Sequence, residues 1–191
     1  MFHGKNGKLI RLSKSCLSLY EKKRVINVLK KEYLGMGEEV DIFEKNLTSF
    51  FQRKALCVVN GTAALHLALQ SVGVKKGDEV LVQSLTYLSS FQAISASGAV
   101  PVACDININS GTINLNDAKR KLTKKTKVIM PVHLYGISCE MDEIITIARE
   151  NKLAIIEDAS QGVGVFYKKK HVGLFGEFGV LSYYGNKTIT T

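Results

Sequence analysis

Three polar groups, widely spaced along the chain, carry the reactive chemistry that this sequence offers. Lys187 stands in Leu181-Ser182-Tyr183-Tyr184-Gly185-Asn186-Lys187-Thr188-Ile189-Thr190-Thr191, a short apolar, aromatic and glycine-bearing stretch. Partial desolvation of that kind makes the neutral, nucleophilic form of an amine accessible. Asp158 closes the apolar run Leu153-Ala154-Ile155-Ile156-Glu157-Asp158, ahead of Ala159-Ser160-Gln161. Upstream, Asn60-Gly61-Thr62 follows another apolar run and opens the alanine-rich stretch Ala63-Ala64-Leu65-His66-Leu67-Ala68-Leu69. An amine that forms a Schiff base, a carboxylate that keeps a ring nitrogen protonated and a turn that cradles a phosphate are what pyridoxal phosphate asks of a protein.

Each group also has a plainer reading. A strand running into a tight turn and a helix aims free N–H groups and the positive end of the helix dipole at one point, and Gly61 lets the backbone approach a ligand closely. The same pattern is common in α/β folds, with Thr62 as a simple helix N-cap. Two adjacent carboxylates at the carboxyl end of a buried strand lie where open sheets place ligands. Side chains alternate across a strand, so Glu157 and Asp158 diverge, one toward a site and one toward a helix layer; the alternative is that Asp158 caps a following helix. A lone lysine in a loop is ordinarily a surface residue.

The elements that must position these groups follow from hydrophobic period. Val25, Val28 and Leu29 share one side of a charged helix, and Val40, Phe43, Leu47 and Phe50 recur at helical spacing in the next. Short apolar runs follow at Ala55–Val59, Glu79–Val82, Val100–Cys104, Lys127–Met130 and Leu153–Ile156, most of them separated by helical stretches. That alternation predicts an α/β domain with a mostly parallel sheet and helices on both faces. Phe166–Val172 reads as a solvent-side hairpin and Phe178–Tyr183 as a last strand.

Composition narrows the classes. The chain has 191 residues, 46% hydrophobic and 23% charged, as an ordinary soluble globular protein has. No apolar run approaches the roughly 20 residues of a membrane helix, and Met1-Phe2-His3-Gly4-Lys5 lacks a signal-peptide core, which points to the cytoplasm. The net charge of +9 comes from lysine clusters such as Lys22-Lys23-Arg24, Lys119-Arg120-Lys121 and Lys168-Lys169-Lys170, without interleaved aromatics. Such clusters read as solvated surface and not as a nucleic-acid groove. Cys16, Cys57, Cys104 and Cys139 are scattered, which argues against both zinc and disulfides; Cys57 and Cys104, in strand-like runs, are expected to be buried thiols.

Taken together, the Asn60–Leu69 stretch, Val132-His133-Leu134-Tyr135-Gly136, Glu157-Asp158-Ala159-Ser160-Gln161 and Ser182–Thr191 closely resemble the DegT/DnrJ/StrS family of sugar-nucleotide aminotransferases, from about Ile10 onward. The Gly-Asn-Lys-Thr-Ile-Thr-Thr wording is most similar to perosamine-synthase-type members that aminate C4 of a 4-keto-6-deoxy sugar nucleotide. The resemblance implies the large domain of a type I pyridoxal-phosphate aminotransferase over residues 53–191, preceded by a helical segment over 1–52, in a homodimer. It also implies an L-glutamate amino donor and a nucleotide-sugar acceptor, in surface polysaccharide or glycan biosynthesis.

On matching positions, the resemblance makes Lys187 the catalytic Schiff-base lysine and proton carrier, and Asp158 the partner of the ring nitrogen. Gln161 contacts the phenolic oxygen, Tyr87 stacks on the ring face, and Gly61, Thr62 and Ser182 hold the phosphate. Two departures stand out. Val163 occupies a place where many members have histidine. Members also continue past the lysine with a glycine-rich turn, a return strand and a smaller C-terminal domain, so a chain ending at Thr191 resembles an incomplete large domain. The alternative that this leaves is an inactive binding or dimerisation module. Related dehydratases carry histidine in place of the lysine, which disfavours that activity here.

Overall fold

A computed structural model describes residues 2–3, 9–10, 15–35 and 37–190 of the chain. Thr191, the last residue of the Lys187 motif, and Met1, Gly4 and Lys5 lie outside the described residues. At the amino-terminal end β1 (Phe2–His3) and β2 (Leu9–Ile10) pair antiparallel, followed by α1 (Leu19–Lys30) and α2 (Glu38–Phe51). A capping box starts α1: the Ser18 hydroxyl accepts from the Tyr20 N–H, and the Glu21 carboxylate accepts from the Ser18 N–H at 2.7 Å. Glu38, Glu39 and Asp41 sit at the positive end of the α2 dipole. Arg24 pairs with Glu39, and Lys31 with Glu38 at 3.3 Å, but such solvated pairs contribute at most about 1 kcal/mol each. Neither helix fully buries a residue, and Val25, Ile26 and Leu29 of α1 stand in solvent.

The rest of the chain builds one sheet. Its strands are β3 (Glu79–Gln83), β4 (Val100–Cys104), β5 (Thr126–Met130), β6 (Ala154–Asp158) and, after the hairpin β7 (Phe166–Tyr167) and β8 (Lys170–His171), β9 (Phe178–Val180). They run in the order β4-β3-β5-β6-β9 and every pairing is parallel. Helices α3 (Gly61–Ser71) and α4 (Ser89–Ala96) cover one face, α5 (Leu115–Arg120) and α6 (Met141–Asn151) the other. Alternation along the strands feeds both layers. Val80 and Val82 pack with Leu65, Leu69 and Ile94, while Leu81 packs with Ile129, Ile144 and Ile147. Each such side chain contributes on the order of 1.5–3 kcal/mol by leaving water.

Three expectations change. Ala55–Val59 is no strand: the Ala55 N–H donates to Thr48 Oγ1 at 3.0 Å and the Cys57 N–H to Glu44 Oε1 at 2.6 Å, so α2 takes donors that a ladder would need. Cys57 is accordingly half-buried, whereas Cys104 is buried as expected. The last strand ends at Val180 and not at Tyr183, because its partner β6 turns away after Asp158; the Ala159 N–H makes the closing bond to the Val180 carbonyl at 2.9 Å.

Candidate active site

The connections leaving the carboxyl ends of β3, β5, β6 and β9 meet the amino-terminal end of α3 around a cleft of about 310 Å³. Strand order reverses between β3 and β5 at this edge, the place where doubly wound sheets hold ligands. Gly61, Thr62, Tyr87, Asp158, Gln161, Ser182 and Lys187, the seven residues singled out in the sequence, all line it.

At one end stands the α3 turn. Asn60, not Thr62, is the N-cap: its Oδ1 accepts from the Ala63 N–H at 2.8 Å. Among the described residues the Gly61 and Thr62 N–H groups take no acceptor, and both residues line the cleft. A methyl on Gly61 would lie 3.5 Å from Ser160 Oγ and 3.7 Å from the Ser182 β-carbon, so the missing side chain leaves a pocket between two hydroxyl-bearing residues. Free N–H donors, hydroxyls and a helix dipole make that pocket suited to a phosphate.

Asp158 lies deeper, buried at the end of β6. Its backbone is fixed by bonds to the Pro131 carbonyl at 2.9 Å and from the His133 N–H at 3.0 Å. Its Oδ2 accepts from Ser90 Oγ at 2.8 Å and its Oδ1 from the Ser160 N–H at 3.1 Å. A turn follows and not a helix, so Asp158 is not a helix cap.

Glu157 points away, as strand alternation requires, and is wholly buried. It accepts from the N–H groups of Gly173, Phe175 and Gly176 at 2.7, 2.6 and 2.8 Å, and lies 3.1 Å from His133 Nε2. His133 Nδ1 accepts from the Cys139 N–H at 3.2 Å, which places the ring proton on Nε2, facing the carboxylate. Burial pushes the Glu157 carboxyl up. Hydrogen bonds from His133, Gly176 and Gly173 outweigh it and hold the group below its ordinary range.

Lys187 is half-buried beyond β9, in a turn closed by its N–H on the Tyr184 carbonyl at 2.8 Å. The Phe43 ring meets Tyr183 edge-on at 5.1 Å and steadies that segment from α2. Lys187 Nζ sits 6.0 Å from the centre of the Tyr87 ring, which is 71% exposed and so no core filler. Gln161 Oε1 accepts from the N–H of Tyr135 at 2.6 Å, holding that residue in the left-handed region at φ 55°. The sequence by itself assigns no role to Ser90, or to Ser160 and His133 within their motifs. A serine in the first turn of an apolar helix has no local signal; only its distant partner marks it.

Among the described residues no group of three or more His, Cys, Asp or Glu side chains forms a metal cluster, and no helix is long and apolar enough to cross a membrane. An amine, a buried carboxylate and unsatisfied N–H donors around one cleft suit an anionic, planar ligand with a basic nitrogen.

Known proteins resemble this chain in sequence and fold. The chain is 47% identical over 137 residues to a GDP-perosamine synthase of Escherichia coli O157:H7, an alignment that covers 72% of this chain and 38% of that protein. An aminotransferase from Psychrobacter cryohalolentis superposes with a TM-score of 0.87 at 34% identity, over 92% of this chain and 45% of that one. An E. coli GDP-4-keto-6-deoxy-D-mannose-3-dehydratase with bound hydrated pyridoxal phosphate gives 0.88 at 27% identity, over 94% and 48%. The chain thus spans less than half the length of each of these three relatives. Residues 16–191 match the sequence pattern of the DegT/DnrJ/EryC1/StrS aminotransferases, and the chain belongs to that family.

Proposed function

We propose that residues 53–191 are the pyridoxal-phosphate-binding large domain of a sugar-nucleotide aminotransferase, preceded by the segment 1–52 that carries α1 and α2 after the short β1–β2 pair. The reaction moves an amino group from L-glutamate to the C4 keto group of a nucleotide-linked 4-keto-6-deoxy sugar, in cytoplasmic synthesis of surface polysaccharide or glycan. A homodimer is the assembly that goes with this reading. One observation carries it: a single cleft joins Lys187, Asp158 and the open pocket at Gly61.

The residues present fit the cofactor. The Gly61 and Thr62 N–H groups, with Ser182, would hold its phosphate, Asp158 would pair with its ring nitrogen, Tyr87 would stack on the ring, and Gln161 would contact the phenolic oxygen. When bound, pyridoxal phosphate supplies an aldehyde for the amine and a protonated ring that takes up the electron pair released at the substrate carbon. Lys187 Nζ would be the amine that holds the cofactor, and the same amine would serve as general base and acid for the proton at the reacting carbon. The GDP-sugar named for the E. coli relative supports a nucleotide-sugar acceptor. Lysine at 187, where the resembling dehydratases have histidine, favours amination over dehydration.

Borohydride reduction in the presence of pyridoxal phosphate tests this. A label on the peptide containing Lys187, and loss of both label and yellow absorbance in Lys187→Ala, are the expected results. Labelling that survives the substitution, or that falls mainly on a surface residue such as Lys169, overturns the assignment.

A further inference from the structure

Asp158 is held by a chain of two hydroxyls. Ser90, wholly buried in the first turn of α4, donates from Oγ to Asp158 Oδ2, and Thr86 Oγ1 lies 2.9 Å from Ser90 Oγ. A hydroxyl carries one proton and an ionised carboxylate none, so with the Ser90 proton given to Asp158 the Thr86–Ser90 contact at 2.9 Å has Thr86 as donor, in preference to the Tyr87 carbonyl at 3.4 Å. The chain is polarised toward the carboxylate, and each donated bond strengthens the next. Ser90 lies among apolar core: Ala93 and Ile94 of the same helix are fully buried. A hydroxyl there costs free energy unless it is bonded, and Asp158 and Thr86 are its partners.

The geometry points to Ser90, backed by Thr86, as a positioning residue that keeps the proton on the cofactor's ring nitrogen; this rests on the function proposed above. A ring nitrogen and the carboxylate against it share one proton. The Ser90 and Ser160 donors fix both oxygens of Asp158 as acceptors, so the carboxylate is set to accept the ring N–H and the proton stays on nitrogen, where the ring acts as electron sink. The remaining polar groups around the carboxylate are the Ser160 N–H, the His133 ring, which already donates to Glu157, and Lys187 in the same cleft.

The test uses the chain reconstituted with pyridoxal phosphate carrying 15N in the ring, whose resonance reports where the proton sits. The unsubstituted protein should show the protonated-ring position. Ser90→Ala should move the resonance toward the neutral-ring position and weaken cofactor binding about tenfold, the effect of losing one hydrogen bond to a charged group. Thr86→Val should move it the same way by less, with circular dichroism unchanged; at a half-buried position it also carries the test alone if Ser90→Ala fails to fold. A purely structural serine would lower the melting temperature and leave the nitrogen resonance in place, and that result overturns the proposal alone. Absence of cofactor binding by the unsubstituted protein overturns the function proposed above, and this inference with it.

Discussion

Glu157 and Asp158 are adjacent carboxylates with opposite surroundings, and their difference is settled by which backbone donors each one meets. Asp158 lines the cleft with a single donor on each oxygen, whereas Glu157 has three N–H groups and a histidine N–H filling both of its oxygens. The second arrangement is a stability device with a pH signature. In the unfolded chain Glu157 takes up its proton around 4.5, while in the fold it stays ionised to lower pH. The stabilisation is therefore complete above that range and is lost as pH falls through the lower folded value. Urea midpoints measured between pH 7 and pH 3 should stay level and then drop below about pH 4.5. Glu157→Gln sets an amide against backbone donors, so it should cost about 3 kcal/mol at neutral pH and flatten that acid limb. An acid limb unchanged in the variant would show that other carboxylates cause it.

Those same donors deliver an element. The turn over Gly173–Glu177 is gripped twice, its N–H groups by Glu157 and its carbonyls at Gly176 and Glu177 by the Arg53 guanidinium, the first at 2.8 Å. From this turn β9 runs beside β6 and carries Ser182 and Lys187 to the cleft. The approach is so close that a β-carbon on Gly179 would lie 1.9 Å from the Gly173 carbonyl oxygen. Gly179→Ala should accordingly destabilise the fold by about 1–3 kcal/mol, as overpacking does, and weaken cofactor labelling at Lys187. Gly185→Ala, with nothing within 4 Å of the added carbon, should do neither. Equal urea midpoints for the two variants would remove the close approach as the reason for glycine at 179.

At the scale of the molecule the two halves differ in how they are covered. The sheet has helices on both faces, but α1 leaves Leu19 74% exposed and Val25, Ile26 and Leu29 beside it open, with Leu34 just beyond. A contiguous apolar surface of this kind favours association. Light scattering should show the chain self-associating as its concentration rises, despite the net charge of +9. Val25→Lys with Leu29→Lys should suppress that association while borohydride labelling of Lys187 persists. A chain that stays monomeric at high concentration would mean that this surface is tolerated in water.

Features that need only a few consecutive residues are legible in the sequence itself. The β-branched runs at β3 to β6, the alanine- and leucine-rich α3 and the site motifs each hold their signal within one element, because period and chemical type are local properties. Ala55–Val59 shows the limit. Its apolar run fits a pleated surface, yet a strand also needs a neighbour to bond, and Thr48 and Glu44 reached its N–H groups instead. The Ser90 bond to Asp158 spans 68 residues, and Glu157 finds its donors 16 to 19 residues onward. Hydrogen-bond partners so far apart are chosen by how the sheet and its helices pack. Residue types named the chemistry of the cleft, and packing decided which side chains hold its reactive groups in place.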